Sequence, residues 1–171
     1  MLAPLVRRTW APRGQTPILY HQGRRHGKVS VIAALTSPPQ RQRVGLYFSM
    51  YGEANITAAR VLRFLRNLMR QLQKPLFIIW DRSQTHRAKC VARLLKRSDR
   101  IHPFFFPAYA PELNPVEMLW SYLKSNPLAN LGAADANDLA RTTRYHATRL
   151  RGRKSLLRSF LRATPLFSCL E

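Results

Sequence analysis

The chain has 171 residues, enough for one domain or one domain with an arm, and it carries 29 Lys and Arg against 8 Asp and Glu, a formal net charge of +21. An apolar fraction of 46% suffices for a buried core, which argues against charge-driven disorder, and no apolar run has the length of a membrane helix. Excess charge of this size points to a polyanion partner, nucleic acid first and an anionic membrane surface second.

Met1–Gly27 is rich in Arg, Pro and Gly, with one short extended candidate at Pro17–Tyr20. Its first fourteen residues hold two prolines, no Ser and no amphipathic period, so they do not read as a targeting segment. Lys28–Thr36 and Arg43–Met50 are β-branched and apolar, with Ser-Pro-Pro between them, and predict a hairpin. Asn55 or Thr57 then caps a helix running through Gln73, in which Val61, Leu62, Leu65, Leu68, Met69 and Leu72 recur at helical spacing. Arg60, Arg63, Arg66 and Arg70 fall on its other faces.

Leu76–Trp80 is a continuous apolar run, the pattern of a strand covered on both sides. A helix over Arg87–Arg97 follows, then a strand over Ile101–Phe106 that Pro103 keeps short or at an edge. Residues 107–115 read as a loop, Pro115–Lys124 as a helix, and Asn137–Leu150 and Lys154–Arg162 as two more. This order implies an α/β fold, with helices packed on a mixed sheet. Residues 1–136 form the expected core, and residues 137–171 a basic helical segment packed on it or extending from it.

Acids are scarce enough to matter individually. None precedes Glu53, and only Glu171 follows Asp138. Asp81 stands directly after the Leu76–Trp80 strand, at the end where open α/β sheets place ligands, although an Asp leading into a loop and helix can also serve as a cap. Asn114-Pro115-Val116-Glu117 fits a helix start with Asn as N-cap, Pro first and Glu third. A carboxylate there either closes the capping box or, kept ionised by the helix end, serves a hard cation.

Cys90 and Cys169 have no paired spacing and read as buried or free thiols in a reducing compartment, with cytoplasm as the default. His21, His26, His102 and His146 lack ligand partners at metal spacing, and Phe104, Phe105 and Phe106 read as buried. Arg141, Arg144, Arg149, Arg151, Arg153, Lys154, Arg158 and Arg162 put eight cations into 22 positions. They form either solvated helix faces or contacts to phosphates, which hold a duplex without reading its bases.

The stretch from Phe106 to Lys124, FPAYAPELNPVEMLWSYLK, resembles the LPPYSPELNPIEHLWSWLK block of DDE-superfamily transposases from mariner-like bacterial insertion sequences. Leu76–Asp81, with His86 five residues on, resembles the second block of that family, and Trp10–Pro17 and Val29–Leu35 match the segments upstream of it. The resemblance covers roughly residues 5 to 150, and 35 residues separate Asp81 from Glu117, as between the second and third acids of the family's triad. It implies a ribonuclease-H-like mixed sheet with flanking helices, and carboxylates that hold Mg²⁺ or Mn²⁺ for phosphodiester cleavage and strand transfer. Asp81 and Glu117 become the catalytic metal ligands, with Asn114 and His86 supporting them. Arg141, Arg144, Arg149, Arg151, Arg153, Lys154 and Arg158 become the DNA-binding set. Trp120 and Leu123, in register with Val116 and Leu119, read as the core face of their helix. The implied partners are transposon ends and target DNA, with a second copy or a separately encoded N-terminal half, and no membrane. The implied location is the bacterial cytoplasm, at the nucleoid.

Two departures shape the expectation. The family's first acid, in an Asp-Glu-x-Gly-Phe block, belongs upstream of Arg7–Trp10, where this chain has no acid, and Glu53 lies at a strand-to-helix connection. Arg82 stands beside the second acid, where the family usually has Asn. The chain is therefore expected to be N-terminally truncated and to lack the first, central strand, which leaves two sheet edges unpaired and the chemistry impaired. The alternative is a non-catalytic basic remnant that binds nucleic acid.

Overall fold

A computed structural model of the chain describes residues 6–18, 28–38 and 43–168. Of the residues singled out above, His21, His26 and Cys169 lie outside that set, as do residues 19 and 20 of the Pro17–Tyr20 stretch. Strands β1 (Val29–Thr36) and β2 (Gly45–Gly52) form the expected antiparallel hairpin, in register from Val29 opposite Gly52 to Thr36 opposite Gly45. Gly45 sits at the turn end of that hairpin, where a Cβ would lie 2.5 Å from Thr36 Oγ1 and would force the Thr36 side chain to shift.

Helix α1 (Ala58–Gln71) starts at Thr57, whose side chain accepts the Arg60 N–H, and buries Val61, Phe64, Leu65 and Leu68. Its last turn is fastened by Arg100, whose Nη2 donates to the carbonyls of Met69 at 3.1 Å and Leu72 at 2.7 Å. A cation there satisfies carbonyls that the helix itself leaves open. Strand β3 (Leu76–Trp80), helix α2 (Lys89–Arg97) and strand β4 (Ile101–Phe105) make a right-sized crossover unit, with β4 parallel to β3. A 3₁₀ turn at Pro111–Leu113 leads into helix α3 (Pro115–Ser125), followed by α4 (Ala136–Gly152), α5 (Lys154–Arg162) and the short α6 (Pro165–Ser168).

The strands form two separate pairs, β1–β2 and β3–β4, in place of one continuous sheet. Among the described residues, β1 pairs only with β2 and β3 only with β4. What joins the pairs is α1. Val61, Leu65, Trp80 and Val91 form one core, against which Ile32 of β1 and Ile78 of β3 both pack. The opposite face of the hairpin, with Val31, Ala33 and Leu35, lies on a larger core that includes Leu46, Leu119, Leu123, Leu150, Leu157 and Phe160. Helices α1 and α2 therefore cover one side and α3, α4 and α5 the other.

Two expectations are corrected. Among the described residues, Leu76–Trp80 is covered on one side only: Phe77 is 70% and Ile79 42% exposed, because α3, α4 and α5 pack on the hairpin and leave this face of β3–β4 bare. Phe104 shares that face at 54% exposure; Phe105, beside Trp80 on the other face, is still 39% exposed at the strand end, whereas Phe106 is buried. Cys90 is an exposed free thiol. No helix among the described residues is long and apolar enough to cross a membrane.

Candidate active site

Asp81 leaves the C-terminal end of β3 and makes a tight local network. Its Oδ1 accepts the Ser83 N–H at 2.9 Å and the His86 Nδ1 at 2.7 Å. An ionised carboxylate only accepts, so this geometry assigns the proton to Nδ1 of His86. The imidazole lies flat on Trp80, with ring centroids 4.5 Å apart and planes at 12°, which fixes its orientation. Partial burial alone would raise the Asp81 pKa. The Ser83 N–H, the charge of His86 and the side-chain hydrogen bonds outweigh it, and the carboxyl is held below its ordinary value. With 60% of its side chain still exposed, Asp81 is an ionised, reachable carboxylate.

Glu117 is in the first turn of α3. Asn114 is the N-cap, its Oδ1 accepting the Val116 N–H at 3.1 Å, and its carbonyl accepts the Glu117 N–H at 3.0 Å. The capping box stays open, because the Asn114 N–H donates to the Pro111 carbonyl at 3.0 Å. The exposed Glu117 side chain has no hydrogen bond or ion pair with any described residue and remains available. The expected core face holds: Leu119 and Leu123 are buried, and Val116 and Trp120 pack beside them.

The two acids hang on one connection. Phe106 N–H donates to the Trp80 carbonyl at 2.9 Å, next to Asp81, and the chain then runs through the 3₁₀ turn to Asn114 and Glu117. Arg82 is tied to that same point, its Nε donating to the Phe106 carbonyl at 3.3 Å, and it makes no ion pair with Asp81. The structure thus assembles Asp81 with His86, and Glu117 with Asn114. Among the described residues, no group of three or more His, Cys, Asp or Glu side chains is placed to hold a metal ion. Glu53, exposed at the end of β2 with φ of 48°, joins neither acid in such a group. Two carboxylate oxygen donors suit a hard divalent cation, as a partial donor set.

The basic residues of α4 and α5 divide by what they touch. Arg141 pairs with Asp138 at 2.8 Å, Arg149 donates to the Tyr145 hydroxyl at 2.6 Å, and Arg153 donates to the Tyr122 hydroxyl at 3.3 Å. Arg151 covers the Phe48 ring at 4.5 Å, and Arg158 is half-buried. Arg144 and Lys154 project into solvent. Much of this run is therefore anchored to the protein, leaving only part of each guanidinium free. The sequence reading gave no role to Arg63, Arg66 and Arg70 of α1, which line a groove with Arg100. The signal was present: arginines at helical spacing in a segment without one acid.

Residues 2–140 match the family described as DDE superfamily endonuclease. A protein of Sinorhizobium fredii, the uncharacterized y4pE/y4sA, is 37% identical over 62 residues, which are 36% of this chain and 43% of that protein. The crystal structure of the Mos1 mariner paired end complex with Mn contains a chain that superposes with a TM-score of 0.59 at 17% identity, over 98% of this chain and 52% of that one. The Mos1 strand transfer complex gives 0.52 at 16% identity, over 98% and 51%. The chain spans about half the length of these solved relatives. At such identities the likeness is one of fold, and it bears out the mixed α/β, ribonuclease-H-like arrangement.

Proposed function

The chain belongs to the DDE superfamily endonuclease family, and from that premise we propose that it is the catalytic-core portion of a DNA transposase, acting on phosphodiesters at transposon ends and target DNA. The observation that carries this reading is the pair of available carboxylates, Asp81 at the end of β3 and Glu117 in the first turn of α3, tied through one connection. Asp81 and Glu117 would hold Mg²⁺ or Mn²⁺, and a bound cation supplies activation of water or a 3′-hydroxyl and stabilisation of the leaving oxygen.

The chain's own groups have separate tasks. His86, stacked on Trp80, holds the Asp81 carboxylate in one orientation and favours its ionised form. Asn114 caps α3 and so sets where Glu117 emerges. Arg82, held by the Phe106 carbonyl, braces the end of β3 against β4. Arg144 and Lys154 are the members of the α4–α5 set freest to meet phosphates, with Arg141, Arg149, Arg151, Arg153 and Arg158 behind them.

The test is nicking of supercoiled DNA with Mn²⁺ or Mg²⁺, by this chain and by a version extended upstream with a strand bearing an Asp. The extended version is expected to nick and to lose at least about 100-fold on Asp81→Ala or Glu117→Ala, the scale of a lost catalytic group. Activity that survives both substitutions rules the assignment out. A second reading, a basic remnant that binds nucleic acid without cleaving it, is favoured by one observation: no third acid joins the two in the described structure. It is distinguished by salt-steep DNA binding that chelation of divalent metal leaves unchanged.

A further inference from the structure

The groove between α1 and α2 has a volume of about 1180 Å³ and is lined by Arg63, Arg66, Arg70 and Arg100, with Asn67 and Leu94 among the remainder. No Asp or Glu lines it. Arg63 and Arg66 make no hydrogen bond, ion pair or ring contact with any described residue, and Arg70 donates only to Asn67 Oδ1. Their spacing, three and then four positions apart, stacks them on one helix face, where like charges repel. Arg141, Arg149, Arg151 and Arg153 in α4 and at its C-terminal end each have a partner in the protein; this row has almost none. Crowded, uncommitted guanidinium groups are most stable with an anion between them.

We propose that this groove binds the phosphate backbone of a DNA duplex, as a second duplex-binding surface on the side of the molecule away from α3, α4 and α5. The row from Arg63 to Arg70 rises about 10 Å along the helix, a span of roughly three phosphates along one strand. Arg100 contributes by position: it holds the last carbonyls of α1 and so keeps the row in register with the groove. Because α1 and α4–α5 lie on opposite sides of the hairpin, two duplex segments can be held at once. This rests on the reading of the chain as a DNA-handling protein.

The experiment is a bridging assay. A biotinylated duplex is captured with the protein, and a second, fluorescent duplex of unrelated sequence is scored for co-capture. R63A/R66A/R70A is compared with R8A/R13A/R43A, three exposed arginines elsewhere whose loss lowers the net charge equally. The α1 variant should still capture the first duplex, lose co-capture of the second by about tenfold, and show a log–log salt slope smaller by roughly three. The control should bridge like the parent, and R63K/R66K/R70K should restore bridging, with matching thermal melts showing all variants folded. If the parent binds no DNA at all, the DNA-handling reading fails and this proposal with it. If the parent binds but does not bridge, or the α1 variant bridges like the parent or no worse than the control, the second surface alone is overturned.

Discussion

The hairpin β1–β2 and the parallel pair β3–β4 are similar in apolar content and opposite in fate. The hairpin has α1 on one side and α3, α4 and α5 on the other, so Val31, Ala33 and Leu35 meet a core as Ile32 does. Among the described residues, the parallel pair has only α1 and α2, and Phe77, Ile79 and Phe104 face outward. An apolar run specifies what a strand could bury; a packed layer decides what it does bury. The core under the hairpin contains nine buried residues, and the one shared with β3 contains four. The candidate site sits where the thinner half hands over to the thicker one.

That contrast is open to attack by substitution. Leu119, 1% exposed in the larger core, should cost about 2–5 kcal/mol of unfolding free energy as Ala, read from urea denaturation. Arg100→Ala opens the last carbonyls of α1 and should cost ~2 kcal/mol by the same measurement, localised by faster amide exchange at the end of that helix. Phe77→Thr, on the bare face, should change stability by no more than ~0.5 kcal/mol despite the loss of a large apolar side chain. A Phe77→Thr cost approaching that of Leu119→Ala would mean that the face is covered, and the contrast would collapse.

The smallest effect concerns pH. Asp81 has a folded pKa below its ordinary 3.8, so its ionised form stabilises the fold above that value, and the contribution is lost as pH falls through the folded pKa. The urea midpoints of the parent and Asp81→Asn should therefore converge only below pH ~4, where the parent carboxyl gains its proton. A constant difference across the acid range would show that the Ser83 and His86 contacts do not depend on ionisation.

Much of this was legible in the residues. The helical period of Val61, Leu65 and Leu68 and a cap at Asn55 or Thr57 located α1, Thr57 being the one used; Asn114-Pro115 located the start of α3; and the run LFIIW gave β3 to the residue. Asp81 and Glu117 were singled out because acids are so few, and the resemblance around PELNPVE gave them a role. What the pattern could not carry was the layer above each face. The LFIIW run reads as doubly covered, and Phe104 and Phe105 as buried, because apolar character is local whereas cover comes from helices distant in the chain. Nor could it show which arginines are spoken for. Arg151 meets Phe48 across roughly a hundred residues, a pairing that only the fold creates.

The free strand edges have a consequence for how the protein behaves in bulk. With only paired doublets among the described residues, every strand keeps one side of its backbone open, a template onto which another molecule could add. A net charge of +21 opposes that encounter at low ionic strength, since two such molecules repel before their backbones can meet. Added salt shortens the reach of that repulsion from about 10 Å at 0.1 M to about 3 Å at 1 M, while backbone hydrogen bonding is little affected. The protein should thus invert the usual handling rule: dilute buffer keeps it dispersed, and the high salt commonly used to strip nucleic acid from basic proteins drives it to self-associate.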